Sequence, residues 1–293
     1  MKKKWTLLCA ALLAVISFSF SGCALKGGEA DQPYGVATCS VAICEILDAL
    51  DCDEVVGIPT TGSDIPERYR EARKIGAPME PQMEILKQVN PEVVLVPITL
   101  QASLDAEFKA AKINVKYVNL SDVEGMYDDI LEIGKLIGKE EAAEALYSEY
   151  TTYVESYPKS AKQPTVMTVM AFASLFTIAA EDSYVGNLVK IAGGKNVYPT
   201  GYVTDGTGMI TNYSLEDMAQ KDPDIIIVYA HFNEDLAFDY IRGLTKTDAV
   251  WKNFRAVKDK QIFYLSNQYG FGVSANLAWR DALEALKPIF SEE

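Results

Sequence analysis

Asp224-Ile-Ile-Ile-Val-Tyr-Ala-His231 carries four β-branched residues in succession and ends on the only histidine of the chain. Such a run predicts a strand buried on both faces, the kind found in a parallel sheet covered by helices. His231 then stands just past the carboxyl end of that strand, where open α/β sheets hold ligands. Imidazole is the side chain proteins use most often to ligate metals. A single histidine more often serves as a hydrogen-bonded structural residue, so His231 needs a partner before it reads as a ligand.

The sequence around this strand occurs twice. Met83-Glu-Ile-Leu-Lys-Gln-Val-Asn-Pro-Glu-Val-Val-Leu-Val96 aligns with Leu215-Glu-Asp-Met-Ala-Gln-Lys-Asp-Pro-Asp-Ile-Ile-Ile-Val228. Both copies place Glu seven residues before Pro, then an acid, then an apolar run. Each copy sits in an alternation of strand and helix. In the first half, strands are expected over Asp53–Pro59, Glu92–Pro97 and Val115–Asn119, with helices over Val41–Leu50 and Leu104–Ala111, and with Met79–Val89 a loop running into a helix that has Pro81 in its first turn. In the second, strands are expected over Thr165–Ala171, Asp224–Tyr229 and Gln261–Leu265, with helices over Tyr184–Ala192, Leu215–Lys221 and Leu277–Phe290. Between them Met126–Ile137 and Glu140–Tyr157 are helical, split by Gly138, and Ser121-Asp-Val-Glu124 reads as a capping box. The fold class is therefore α/β: two α/β lobes with central parallel sheets, residues 35–120 and 161–293, joined by a long helical connector, residues 121–160.

Length and charge limit the functions. With 293 residues the chain has room for two lobes, and 49% hydrophobic content excludes general disorder. A net charge of −14 argues against nucleic acid. Met1-Lys-Lys-Lys4 followed by apolar Trp5–Phe20 reads as a signal peptide, residues 1–22, too short to span a membrane. Phe20-Ser21-Gly22-Cys23 resembles a bacterial lipobox, with Phe20 where Leu is usual. Cys23 would carry the lipid and residues 23–34 would be the tether. Cys39, Cys44 and Cys52 show neither CxxC spacing nor a disulfide framework, although one pair could oxidise.

The repeat gives His231 its counterpart. Met79 lies in the loop ahead of the first copy's helix, as His231 lies after the second copy's strand, so both are expected at a cleft between the lobes. Methionine sulfur is a poor ligand for Zn²⁺ or Mn²⁺. A Met/His pair does suit the two axial positions of haem iron. Haem carries two propionates, and Thr38-Cys39-Ser40 at a helix start, with Thr60 and Thr61, offers donors for them. Cys39 is also a rival ligand, since a thiolate at a helix N-terminus has a lowered pKa. The alternative for each of these is plain capping or packing.

From Val36 onward the chain resembles the haem-binding lipoproteins among the cluster A-III substrate-binding proteins of ABC importers. The stretches that carry the likeness are Glu45–Asp51, Val56-Gly-Ile-Pro-Thr-Thr61, Val123-Glu-Gly-Met-Tyr127, Ser183–Gly194, Asn212–Met218 and Val250-Trp-Lys252. Its most specific part is Gly76-x-x-Met79 paired with Ala230-His231. The resemblance implies a class III periplasmic-binding-protein-like fold and Met79 and His231 as axial ligands of haem, that is, iron protoporphyrin IX as transported ligand. It also implies Glu84 and Glu216 as acids that dock on the importer's membrane subunits. Cys39 and the loop Asn267–Ser274 depart from the pattern. The expected protein is a monomeric, extracytoplasmic, lipid-anchored haem carrier for iron acquisition, supplied by cell-surface haem donors, and not an enzyme. A binder of another iron chelate or a corrinoid, and a non-transport haem sensor or scavenger, remain open at this point.

Overall fold

The computed structural model describes residues 35–202, 204 and 206–290. The signal peptide, Cys23 and the tether lie outside these residues. The described part belongs to one compact unit.

Its first half runs β1 (Val36–Thr38), α1 (Val41–Ala49), β2 (Val55–Ile58), β3 (Arg73–Lys74), the hairpin β4 (Gly76–Ala77) and β5 (Glu80–Pro81), α2 (Met83–Val89), β6 (Val93–Pro97), α3 (Gln101–Ala111) and β7 (Val115–Val118). Two helices follow, α4 (Val123–Ile137) and α5 (Glu140–Ser156). The second half runs β8 (Thr165–Ala171), β9 (Phe176–Ala179), α6 (Tyr184–Ile191), β10 (Lys195–Asn196), β11 (Met209–Ile210), α7 (Leu215–Lys221), β12 (Ile225–Ala230), α8 (Glu234–Thr247), α9 (Arg255–Lys258), β13 (Ile262–Leu265) and α10 (Trp279–Phe290).

Two separate sheets result. The first has the order β3-β2-β1-β6-β7 and is parallel throughout. The second has the order β11-β9-β8-β12-β13, with β10 beside β8. Its core of β8, β12 and β13 is parallel, and β9 and β11 add an antiparallel edge. The apolar runs explain why both faces are covered. In β12, Ile225, Ile227 and Tyr229 enter one core, while Ile226, Val228 and Ala230 enter another. In β6, Val93 and Leu95 face that same first core, and Val94 and Val96 a third. Period-two alternation between two apolar layers is what a doubly covered strand requires. Each fully buried Ile or Val contributes about 1.5–3 kcal/mol relative to exposure.

The internal repeat is a structural repeat. α2 and α7 each have seven residues. Each ends on a left-handed cap, Asn90 (φ 48°) and Asp222 (φ 35°), whose N–H donates to the carbonyls of Leu86 and Met218. These two are the buried residues of their helices. Pro91 and Pro223 then forbid further helix and start the strands. Asn and Asp are the non-glycine residues that best tolerate this conformation.

α4 links the halves and α5 doubles back on it. The Tyr127 and Tyr150 rings stack at 4.4 Å, and a Cβ on Gly134 would meet the Ala143 methyl at 2.4 Å. Gly138, at φ 69°, makes the reversal. The N-cap of α4 is Asp122, accepting from Gly125 N at 2.7 Å, and not Ser121 as the capping-box reading had it. Pro81 closes β5 ahead of the N-cap Gln82 and is not in the first turn of α2.

Candidate functional site

The carboxyl ends of strands from both sheets border one cavity of about 230 Å³. Thr99 comes from the end of β6, and Leu120 and Ser121 from the entry to α4. Met170, His231 and the segment Phe271–Ser274 come from β8, the end of β12 and the loop after β13. Tyr184 and Val185, the first turn of α6, with Thr207, Met209 and Tyr229, complete the wall. None of the described lining residues is Lys, Arg, Asp or Glu.

His231 is an exposed residue on the rim of this cavity, directly after β12. Its Nδ1 lies 2.8 Å from the Gly272 carbonyl oxygen. A carbonyl only accepts, so Nδ1 carries the proton, and in the neutral ring Nε2 keeps its lone pair. This is how metal-ligating histidines are commonly oriented. The anchor is itself held: Asn267 N donates to Glu234 Oε2 at 2.7 Å, tying the start of α8 to the loop after β13. Phe232 lies edge-on to the imidazole at 4.0 Å and Phe172 is tilted to it at 6.2 Å. Gly272 has no room for a side chain, since a Cβ would come within 2.3 Å of the Ala230 carbonyl oxygen and 2.9 Å of Asn267 Oδ1. Gly272→Ala is therefore expected to displace the loop, loosen the imidazole and lower affinity for a metal-bearing ligand about 10- to 100-fold. A ligand titration checks this, and unchanged affinity would mean that the anchor is dispensable.

Met79 sits at the tip of the β4–β5 hairpin and is 69% exposed, too far out to be a gap-filling core residue. The hairpin base needs Gly76, whose φ is +111° and whose Cβ would meet the Glu80 carbonyl at 2.6 Å. Thr60 N donates to the Gly76 carbonyl at 2.7 Å, so Thr60 helps to hold the hairpin. Met79 does not line the cavity that His231 borders.

The helix-start residues lie elsewhere than the sequence implied. Thr38 is fully buried and its Oγ1 accepts from Ser40 N at 3.1 Å. Cys39 is 1% exposed and packs in an apolar core with Ile75 and Phe108. Burial pushes its thiol up to about 12, the opposite of an activated thiolate, which removes Cys39 as a rival ligand. Ser40 is the N-cap of α1 but makes no side-chain cap hydrogen bond. Thr61 Oγ1 accepts from Ser63 N in a local turn. Cys39, Cys44 and Cys52 are all buried free thiols. Glu84 and Glu216 are exposed in the first turns of α2 and α7, at matching positions, and Glu84 pairs with Lys87 at 2.8 Å. Sequence reasoning missed Tyr184, Ser121 and Gly272, because only the folded chain brings them to one cavity.

This arrangement, two α/β halves with strand ends around a shared cavity, is that of the class III periplasmic binding proteins. The chain belongs to the periplasmic binding protein family, whose model matches residues 36–269. Proteins of this family bind substrates for transport outside the cytoplasm, and the chain is not an enzyme. It is 29% identical over 272 residues to the high-affinity heme uptake system protein IsdE of Staphylococcus aureus, covering 92% of this chain and 89% of that one. The crystal structure of IsdE complexed with heme superposes with a TM-score of 0.73 at 28% identity, covering 88% and 99% of the two chains. An ABC transporter substrate-binding protein from Listeria monocytogenes gives 0.75 at 27% identity, covering 89% and 100%. The siderophore-binding protein FeuA of Bacillus subtilis, at 19% identity and a TM-score of 0.63 over 88% of this chain and 91% of that one, shares the fold. Among the described residues no helix is long and apolar enough to cross a membrane.

Proposed function

We propose that the protein captures haem at the carboxyl ends of its two sheets and passes it to an ABC importer for iron acquisition. The carrying observation is His231, with Nδ1 fixed on Gly272 and Nε2 left for a metal. Among the described residues no group of three or more His, Cys, Asp or Glu side chains is placed to hold a metal ion. A porphyrin brings four nitrogen donors of its own and needs only axial ligands. His231 supplies one of them and Met79 the other. The cavity is smaller than the roughly 300–1,000 Å³ of a complete ligand pocket. It takes one edge of the macrocycle, and Phe232, 70% exposed, packs on the remainder. Ser40, Thr60 and Thr61, the other candidate donors for the propionates, do not line this cavity.

The same fold carries siderophores elsewhere. A ferric tris-catecholate bears a large negative charge and calls for cations, whereas this lining has no Lys or Arg. That favours haem. Titration of the purified protein with haemin and with a ferric tris-catecholate is the test. A saturable haemin complex without catecholate binding supports the reading, and the reverse preference overturns it.

Cys23 anchors the protein by lipid, and Glu84 and Glu216 dock on the importer. The pair of Glu84 with Lys87 is a surface pair worth a few tenths of a kcal/mol, so a basic partner can displace it. The double variant Glu84→Lys/Glu216→Lys is expected to keep haemin affinity and to lose importer-dependent uptake about tenfold or more. Uptake equal to wild type would remove the docking role.

A further inference from the structure

Two hydroxyl groups at the cavity wall have no partner. Tyr184 opens α6, is 5% exposed, and its hydroxyl makes no hydrogen bond. Ser121 precedes the N-cap of α4, and its Oγ is buried and equally without a bond. Both side chains line the cavity that His231 borders. A buried hydroxyl without a partner costs free energy, and a folded chain keeps such groups where something else satisfies them. Burial raises the Tyr184 phenol above its ordinary range, so it stays protonated and can donate. Ser121 can donate as well.

The first turn of α6 brings the positive end of an eight-residue helix to the same wall, through Tyr184 and Val185. Two hydroxyl donors beside a positive helix end suit a group that only accepts and carries negative charge, which is a carboxylate. The helix end and the ligand's own ferric centre offset the missing cation. The Thr38–Ser40 segment is poorer in side-chain donors, because Thr38 and Cys39 are buried in the first half.

We propose that Tyr184 and Ser121 hold a carboxylate arm of the bound ligand, each donating its hydroxyl to a carboxylate oxygen. This rests on the haem reading and adds to it two specificity-determining residues. The test uses Tyr184→Phe, Ser121→Ala and the double variant, titrated with haemin and with haemin dimethyl ester, whose arms can neither carry charge nor accept as strongly. Each hydroxyl lost is expected to weaken haemin binding about tenfold, while binding of the ester changes less than about twofold. The unliganded variants should melt at or above the wild-type temperature, since an unsatisfied buried group has been removed. A double variant that holds haemin as tightly as wild type, or that loses haemin and ester alike, overturns the assignment. A wild type that binds no haemin overturns the haem reading and this assignment with it, and that control separates the two failures.

Discussion

His231→Ala is expected to lower haemin affinity about 100-fold or more, equivalent to at least about 2.7 kcal/mol. The ring is exposed at the cavity rim, and its one hydrogen bond goes to a loop carbonyl. Its removal therefore costs little folding energy, and the melting temperature of the unliganded variant should stay within a few degrees of wild type. What is lost is a directed nitrogen lone pair that no other histidine in the chain can replace. Haemin held as tightly by the variant as by wild type would mean that iron is bound elsewhere.

Trp279→Ala should act on the fold instead. Trp279 is fully buried at the start of α10, and its Nε1–H donates to the Tyr127 hydroxyl at 3.1 Å. The edges or faces of Tyr127, Tyr150 and Tyr153 lie 6.3, 5.7 and 5.4 Å from its ring. One side chain thus pins the last helix to both α4 and α5. Truncation leaves a cavity among three aromatic partners and an unpaired phenol, at a cost of about 3–5 kcal/mol. In a chain of this size that is a fall of roughly 10 °C in Tm. A loss below about 1 kcal/mol in denaturant unfolding would show that α10 is not held by this residue.

The fold was legible where the chain repeats a physical pattern. The run Ile225–Ala230 belongs to both of the cores it separates, and the paired segments around Pro91 and Pro223 fold alike down to their left-handed caps. Other parts left weaker signals. α8 is mostly polar, and its buried Ala237, Phe238 and Ile241 are spaced for a helix but sit among charges. β9 and β11 form an antiparallel edge too short to stand out as strands. In the site, residue type and strand-end position pointed to His231, and the hairpin glycine Gly76 explains why Met79 is presented to solvent. The sequence could not tell whether Thr38, at the end of the short strand β1, and Cys39, just after it, would face solvent, and both went inside. Nor could it reveal that the hydroxyls of Ser121 and Tyr184 would be buried without partners, because that depends on neighbours distant in the chain.

The central claim is that His231 and Met79 hold haem iron between them. The visible and magnetic circular dichroism spectrum of the haemin complex tests it most directly, for wild type, His231→Ala and Met79→Ala. The account predicts a six-coordinate low-spin His/Met spectrum in the wild type. Removing either ligand should convert it to a high-spin or water-ligated form, with the larger loss of affinity for His231→Ala. A wild-type spectrum left unchanged by both substitutions would contradict it.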